Sequence, residues 1–363
     1  MSNIIPILVG ILVFGILVLV HEVGHYIAAR KCGVMVEEFA IGMGPKVFGV
    51  QRGDTLFSLR AFPLGGFCKM LGDEDESSDG RAFNNKPVYK RMIIILAGAV
   101  MNILLALIVF TLLVFFTGVG TPIVYTVHEN TPAANAGIQS GDVIRRINNR
   151  NIRLQNDISL ALLRSRGQPV QVRIERDGQF YDKSLTPVYS GGMYFMGVLC
   201  RNHFGILQEQ EYRAMAIERG FRQIGFFEGI VAGFWVMMFW LNMVIFSVGE
   251  LVSARMPVDQ IYGMIGVVTI IGDTYVEAIQ VSVLDMVLTI MHFTGMLNIM
   301  LGVMNLLPVP ALDGGRFVFL ALEGIRRKPV SPEMEGTVHF IGFVLLMLFG
   351  VFVAYNDIMR LML

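Results

Sequence analysis

Charge is scarce in this 363-residue chain: Asp, Glu, Lys and Arg make up 16% of it, against 54% apolar residues. Soluble domains carry roughly 25% charged residues. The shortfall, with a mean hydropathy of +0.60, points to membrane spans. Neither sign is in excess, with 29 Lys+Arg and 29 Asp+Glu, which removes the electrostatic case for nucleic acid or an acidic partner. Cysteine is scarce too. Cys32, Cys68 and Cys200 are scattered, with no C-x-x-C pair, which excludes a disulfide framework or a cysteine-rich zinc module. Any metal must therefore find histidine and carboxylate ligands. No Lys or Arg precedes the first apolar run and no small-residue cleavage site follows it, which argues against a cleaved signal peptide.

Long apolar runs are what the chain does have. Ile4 to Val20 is 17 residues without a polar side chain. Continued to Ala29 at about 1.5 Å per residue, it is long enough to cross a bilayer. Arg30 and Lys31 follow it, which predicts the N-terminus outside and residue 30 onward in the cytoplasm. Met92 to Phe116, preceded by Lys90 and Arg91, returns the chain outside. Two further runs, about Leu284 to Leu307 and Thr337 to Tyr355, flank Arg326, Arg327 and Lys328, marking a cytoplasmic loop. Gly229 to Gly249 is also apolar, broken by Asn242 and Ser247. One more crossing there would reverse the charge bias of the later loops, so it reads as an amphipathic or interfacial helix, or one packed on the protein.

The stretch from Val34 to Leu71 alternates apolar and polar residues and is punctuated by Gly42-Met43-Gly44-Pro45, Arg52-Gly53-Asp54 and Pro63-Leu64-Gly65-Gly66. That pattern predicts strands and hairpins. The acidic run at 73–80 reads as a solvated turn, since its spacing does not suit calcium. Residues 119–200 are soluble in character. Their Pro132-Ala133-Ala134-Asn135-Ala136-Gly137-Ile138, Gly141-Asp142-Val143-Ile144 and Ile147-Asn148 resemble a PDZ domain of the bacterial protease type. Such domains bind an extended peptide at a sheet edge; a plain β-rich spacer is the alternative.

Near the cytoplasmic end of the first span stands His21-Glu22-Val23-Gly24-His25. Residues four apart share a helix face, so both imidazoles reach one ion, and N/O ligands in a small site favour Zn2+. Glu22, a quarter turn away, can take a proton from water. Two His and a Glu in an apolar helix are costly in lipid and need a polar purpose; the bland alternative is a buried His-Glu pair that only packs helices. A catalytic zinc wants a third protein ligand. His128 and His203 fall outside, and His292 and His339 are expected at the wrong ends of their spans. The run Asn305-Leu306-Leu307-Pro308-Val309-Pro310-Ala311-Leu312-Asp313-Gly314-Gly315 ends the third span at the level of the histidines. The prolines stop the helix and the glycines allow close approach, so Asp313 is well placed to complete a His₂Asp site. The alternative is that it is a helix-ending turn residue.

Together these residues resemble the site-2 protease family of intramembrane metalloproteases, in particular the bacterial regulator-of-sigma-E type. The resemblance implies an α-helical integral membrane protein with four transmembrane helices, a membrane-associated β-hairpin loop and one extracytoplasmic PDZ domain. The expected organisation is a first span at 4–29, a cytoplasmic β-rich loop at 33–91, a second span at 92–116, the PDZ domain at 119–200, a post-PDZ segment at 201–283, a third span at 284–310 and a fourth at 337–355. The resemblance implies zinc on His21, His25 and Asp313, with Glu22 as the catalytic acid/base. It also implies substrate contacts at Gly42 and Gly44 of the hairpin and at Asn305, Pro308 and Pro310. The chain departs from the family pattern at Ala99, Met264 and Met300.

The implied activity is hydrolysis of peptide bonds within or near the spans of single-span membrane proteins. Expected partners are an anti-sigma factor or remnant signal peptide as substrate, an upstream site-1 protease and the lipid bilayer, with no nucleic acid. The expected location is the bacterial inner membrane, with both termini and the PDZ domain outside and the active site near the cytoplasm. The rival readings are a non-catalytic PDZ adaptor with a structural metal, which would want four protein ligands, and a metal transporter, which would spread ionisable residues along several spans.

Overall fold

The computed structural model describes residues 4–73, 77–203, 223–255 and 261–362. Part of the acidic run (74–76) and parts of the post-PDZ segment (204–222 and 256–260) lie outside the described residues. The chain forms two compact units, Met1–Val109 with Val244–Leu363, and Phe110–Met243.

The first unit begins with α1 (Ile4–Cys32), apolar on every face, as a helix immersed in apolar surroundings must be. Arg30 and Lys31 close its last turn, where cations suit the helix dipole. Then come β1 (Val36–Arg52) and β2 (Thr55–Met70). These two long strands fold back on themselves. Glu38–Ile41 pairs with Leu56–Leu59 on one side, Val36–Ile41 pairs with Gly66–Met70 on the other, and Lys46–Arg52 pairs with Thr55–Arg60. The result is in effect a four-stranded ribbon whose outer stretches, 62–70 and 46–52, each pair along one side only. The exposed side chains Ile41, Met43, Val47, Phe48 and Phe62 give its tip an apolar surface.

The helix α2 (Val88–Thr117) follows. Its first turns share a buried cluster with the end of α1 and with β1, through Ala28, Ala29, Val36, Met70, Ile94 and Ile95. Each of the buried Val, Met and Ile side chains contributes about 1.5–3 kcal/mol, and the cluster fixes α1, the ribbon and α2 around the histidine pair. The chain re-enters this unit near the end of α5 (Phe226–Val252) and continues as α6 (Met264–Val281) and α7 (Val283–Leu306). Leu17 and Val13 of α1 pack with Ile271 of α6 and Leu297 of α7. The short helix α8 (Asp313–Arg326) and the long α9 (Pro332–Met362) complete the unit. Among the described residues, five helices are long and apolar enough to cross a membrane: Ile5–Cys32, Val88–Thr117, Phe226–Val252, Val283–Leu306 and Glu333–Arg360.

The second unit holds the end of α2, most of α5 and, between them, a sheet covered by two further helices among the described residues. Its strands are β3 (Val119–Val127), β4 (Val143–Ile147), β5 (Arg150–Asn151), β6 (Val170–Arg176), β7 (Gln179–Leu185), β8 (Val188–Ser190), β9 (Met193–Phe195) and β10 (Val198–His203). The main sheet runs β10-β3-β4-β6-β7, with β5 paired to β4 and β8 paired to β9 in a separate hairpin. The helices α3 (Pro132–Asn135) and α4 (Gln155–Ser165) cover it, and the core alternates along β6 as Val170, Val172 and Ile174. Asp142, at the head of β4, is fully buried. Arg176 donates to both of its oxygens at 2.7 and 2.8 Å, and the Gln139 amide donates at 2.8 Å.

Candidate metal centre

The first helix presents a pair of imidazoles. His21 and His25 lie one turn apart on one face of α1 and are buried. Their Nε2 atoms are 3.1 Å apart. Asp313, the first residue of α8, brings its Oδ2 to 3.1 Å from His21 Nε2 and 3.3 Å from His25 Nε2. No other His, Cys, Asp or Glu trio converges in this way among the described residues.

All three atoms bear lone pairs. His25 Nδ1 lies 2.8 Å from the Ile94 carbonyl. A carbonyl only accepts, so Nδ1 carries the proton and Nε2 of the neutral ring is bare. Asp313 Oδ2 is buried with no hydrogen-bond partner. Lone pairs aimed at one another repel unless a cation lies between them. Tetrahedral zinc bonds of about 2.0–2.1 Å place ligand atoms about 3.3–3.4 Å apart, and the 3.1–3.3 Å spacing here fits that ion.

Around this trio, α2 supplies the close support. A Cβ on Gly98 would fall 2.5 Å from His25 Nε2 and 2.7 Å from His21 Nε2, so only glycine leaves room for the ligand nitrogens. One turn on, the fully buried Asn102 places its side-chain amide 3.4 Å from His21 Nδ1, and Asn305 of α7 places its own at 3.5 Å. With Nε2 turned to a metal, His21 Nδ1 carries the proton and needs an acceptor. Asn102 Oδ1 is buried with no partner, and turning that amide over lets Oδ1 accept the proton. Sequence reasoning finds Asn305 but passes over Gly98 and Asn102. A buried Asn within an apolar helix is itself the available signal.

The turn before α8 sets the carboxylate. α7 stops at Leu306, because Pro308 and Pro310 have no N–H to continue it. The third span expected at 284–310 is therefore helical only to that point. Pro308 is exposed, while Pro310 packs where a Cβ on Gly342 would lie 2.3 Å from its own Cβ. Ala311 adopts φ +75°, a left-handed conformation that costs a non-glycine residue on the order of 1 kcal/mol. Its amide donates to His339 Nδ1 at 2.8 Å. The expectation that His339 lies at the wrong end of its span is thus corrected. As the fourth span begins on the same side as Asp313, His339 braces the Asp313 turn, although it is not among the converging ligands.

Glu22 stands beside the trio, facing the ribbon: a Cβ on Gly66 of β2 would lie 3.5 Å from Glu22 Cγ. Gly42 and Gly44 are not brought to the histidines. Both have φ +86° and pack against Phe62 at the ribbon tip. Met300 lines an apolar cavity of about 220 Å³ with Phe14, Leu17 and Met304. Ala99 is fully buried, and Met264 begins α6.

Comparison with known proteins points to one family. The model of peptidase family M50 matches residues 9–349. A Clostridium perfringens protein provisionally named a zinc metalloprotease is 36% identical over 353 residues, covering 97% of this chain and 98% of the relative. A Clostridium acetobutylicum protein named in the same way is 35% identical over 355 residues, 97% of each chain. The regulator of sigma-W protease RasP of Bacillus subtilis is 29% identical over 438 residues, 97% of this chain and 98% of its own.

Proposed function

The chain belongs to peptidase family M50 and is a multi-pass membrane zinc metalloprotease with site-2 protease function, and from that premise we propose that His21, His25 and Asp313 hold the zinc while Glu22 moves the proton. The observation that carries this assignment is the convergence of two bare imidazole nitrogens and an orphaned carboxylate oxygen within 3.1–3.3 Å. When bound, zinc supplies Lewis acidity that polarises the scissile carbonyl and acidifies water. Glu22 takes the proton of the attacking water and delivers it to the leaving amine nitrogen. His25 is held by Ile94 and His21 by Asn102, so neither ring has to reorient during the reaction.

A helical substrate hides its carbonyls and must unwind before it can be cut. Strand addition to the singly paired 62–70 edge, beside Gly66 and Glu22, would replace the lost hydrogen bonds. In this reading Gly42 and Gly44 shape the apolar tip that enters the lipid, and Asn305, Pro308 and Pro310 border the substrate strand. The substrates are single-span membrane proteins such as an anti-sigma factor or a remnant signal peptide, already trimmed by an upstream site-1 protease. The second unit is a single PDZ domain outside the inner membrane, acting as size filter or tether, and both termini lie outside with it.

The span count in this reading is four, with α5 at the outer interface. Starting at Met92, α2 uses about 20 residues to cross about 30 Å of hydrocarbon, so Thr111 and Phe115 lie near its outer boundary. Gly229 and Gly233 of α5 pack on those two residues. Arg153 stacks over Trp235 at 4.8 Å, and Arg164 donates to the Asn242 carbonyl at 2.8 Å. Guanidinium groups of a water-facing domain are costly in hydrocarbon, which supports an interfacial place for 229–242. Cysteines introduced at 227 and 250 are expected to react with the same impermeant reagent from outside; labelling from opposite sides would overturn the four-span reading.

Glu22→Gln tests the mechanism. The variant is expected to retain zinc and lose cleavage of a single-span reporter by at least about 100-fold, the scale of a lost general base. Undiminished cleavage would contradict the role given to Glu22.

A further inference from the structure

We propose that Arg316 and Asp73 are positioning residues for Asp313: their ion pair locks the start of α8, and with it the third metal ligand, onto the ribbon that faces Glu22. The inference rests on the proposed metal site and concerns what holds it in shape.

The need for such a lock is visible in α8. The helix begins with the ligand itself, and its N-cap residue Leu312 makes no side-chain capping bond. A capping side chain typically fixes a first turn; here something else must. Arg316, one turn into α8, forms a two-pronged pair with Asp73, Nη2 to Oδ1 and Nη1 to Oδ2 at 3.2 Å. Its guanidinium also lies 5.8 Å from the centre of the Phe83 ring. Asp73 sits on firm ground. It follows β2 by three residues, and the chain around it is tied down by Leu71 to the Met35 carbonyl and Phe83 to the Leu71 carbonyl. Met70 and Phe83 are buried in the cluster shared with α1 and α2.

The far end of α8 is held in the same manner. Glu323, seven residues on and so on the same face, pairs with Arg91 at the start of α2, the helix that carries Gly98 and Asn102. Thus one face of α8 is tied at one end to the ribbon and at the other to α2. Partly exposed pairs contribute little to global stability, typically about 0–1 kcal/mol. A fork between two planar groups does, however, fix direction as well as distance. Metal sites are sensitive to that direction, since displacing a ligand's support typically weakens metal affinity about 10–100-fold.

The test is a chelator titration of zinc from the full-length protein in detergent, comparing Arg316→Gln, Asp73→Asn, their double variant, Arg316→Lys and the exchange of Asp73→Arg with Arg316→Asp. Folded fraction is followed separately by thermal midpoint. Zinc affinity of the folded fraction is expected to fall about 10–100-fold in either single variant, with no further loss in the double. Arg316→Lys, which keeps the charge without the fork, is expected to fall as well, and the exchange to recover most of the loss. With a single-span reporter at saturating zinc, kcat is expected to fall while KM stays near wild type. Lower midpoints with wild-type zinc affinity would overturn the proposal, because a merely structural pair behaves that way; so would additive losses in the double variant. His25→Ala is run alongside: wild-type zinc affinity there would sink the metal-site reading itself, whereas zinc loss there with none in the Arg316 and Asp73 variants overturns the positioning role alone.

Discussion

Gly98 carries no functional group, yet the site depends on what it lacks. Its missing side chain is the space in which His21 and His25 turn their Nε2 atoms toward Asp313. Gly98→Ala puts a methyl within 2.5–2.7 Å of both nitrogens. The expected outcome is a chain that still inserts and folds, at an overpacking cost of about 1–3 kcal/mol, with zinc affinity reduced at least about tenfold. Equilibrium dialysis against buffered zinc checks this, and wild-type affinity would rule out the tight fit. Asn102 belongs to the same account as the acceptor that fixes the His21 ring. Burial, with the Glu22 and Asp73 carboxylates, pushes the nearby Cys68 thiol up to about 12. The residues at this scale divide by legibility. His21, Glu22 and His25 are legible because four-residue spacing is a property of any helix, and Asp313 because depth follows from where the charged loops lie. Asn102 is legible only as a lone amide inside an apolar helix, and Gly98 not at all, because the rest of α2 is apolar all round and a glycine there carries no signal of the face that turns to α1.

Among the elements, the strands were easier to foresee than their pairing. Alternation and glycine turns mark β1 and β2, but the ribbon's doubled-back pairing, in which Glu38–Ile41 is paired on both sides, is specified by no local pattern. In the second unit the turn residue Asp142 stands out in the sequence, but its partner Arg176 lies 34 residues away and is visible only in the fold. That pair sets a pH dependence. Burial raises the Asp142 carboxyl, but Arg176 and the Gln139 amide outweigh it and leave its pKa lowered. With the folded pKa below an unfolded value of about 3.9, the stabilisation is fully present above that pH and is lost as pH falls through the folded value. Hydrogen exchange of residues 119–200 is therefore expected to be flat in this contribution from pH 8 to 5. Asp142→Asn, which leaves Arg176 without its carboxylate, is expected to lose about 1–3 kcal/mol there and to converge with wild type in strong acid. A variant as stable as wild type at pH 7 would remove the pair from the account.

For the molecule as a whole, sparse charge and long apolar runs already announce a membrane protein, while the handling of its polar groups identifies the chemistry. The first unit concentrates its buried titratable trio at one level, where α1, the ribbon, α2 and the α7–α8 turn meet. Hydropathy outlines the spans but does not say how α5 is used, since Phe226–Val252 is long and apolar enough to cross and only its contacts with Thr111, Phe115, Arg153 and Arg164 favour the interface. His339 shows the same limit, as its place beside Ala311 follows from how α9 packs and not from its isolation in the sequence. Every functional step proposed for this chain depends on a single ion at that level. The most direct test is elemental analysis of the purified full-length protein and of Asp313→Ala. The account predicts one zinc per wild-type chain and its loss from a folded Asp313→Ala chain; a full zinc complement in that variant would contradict it.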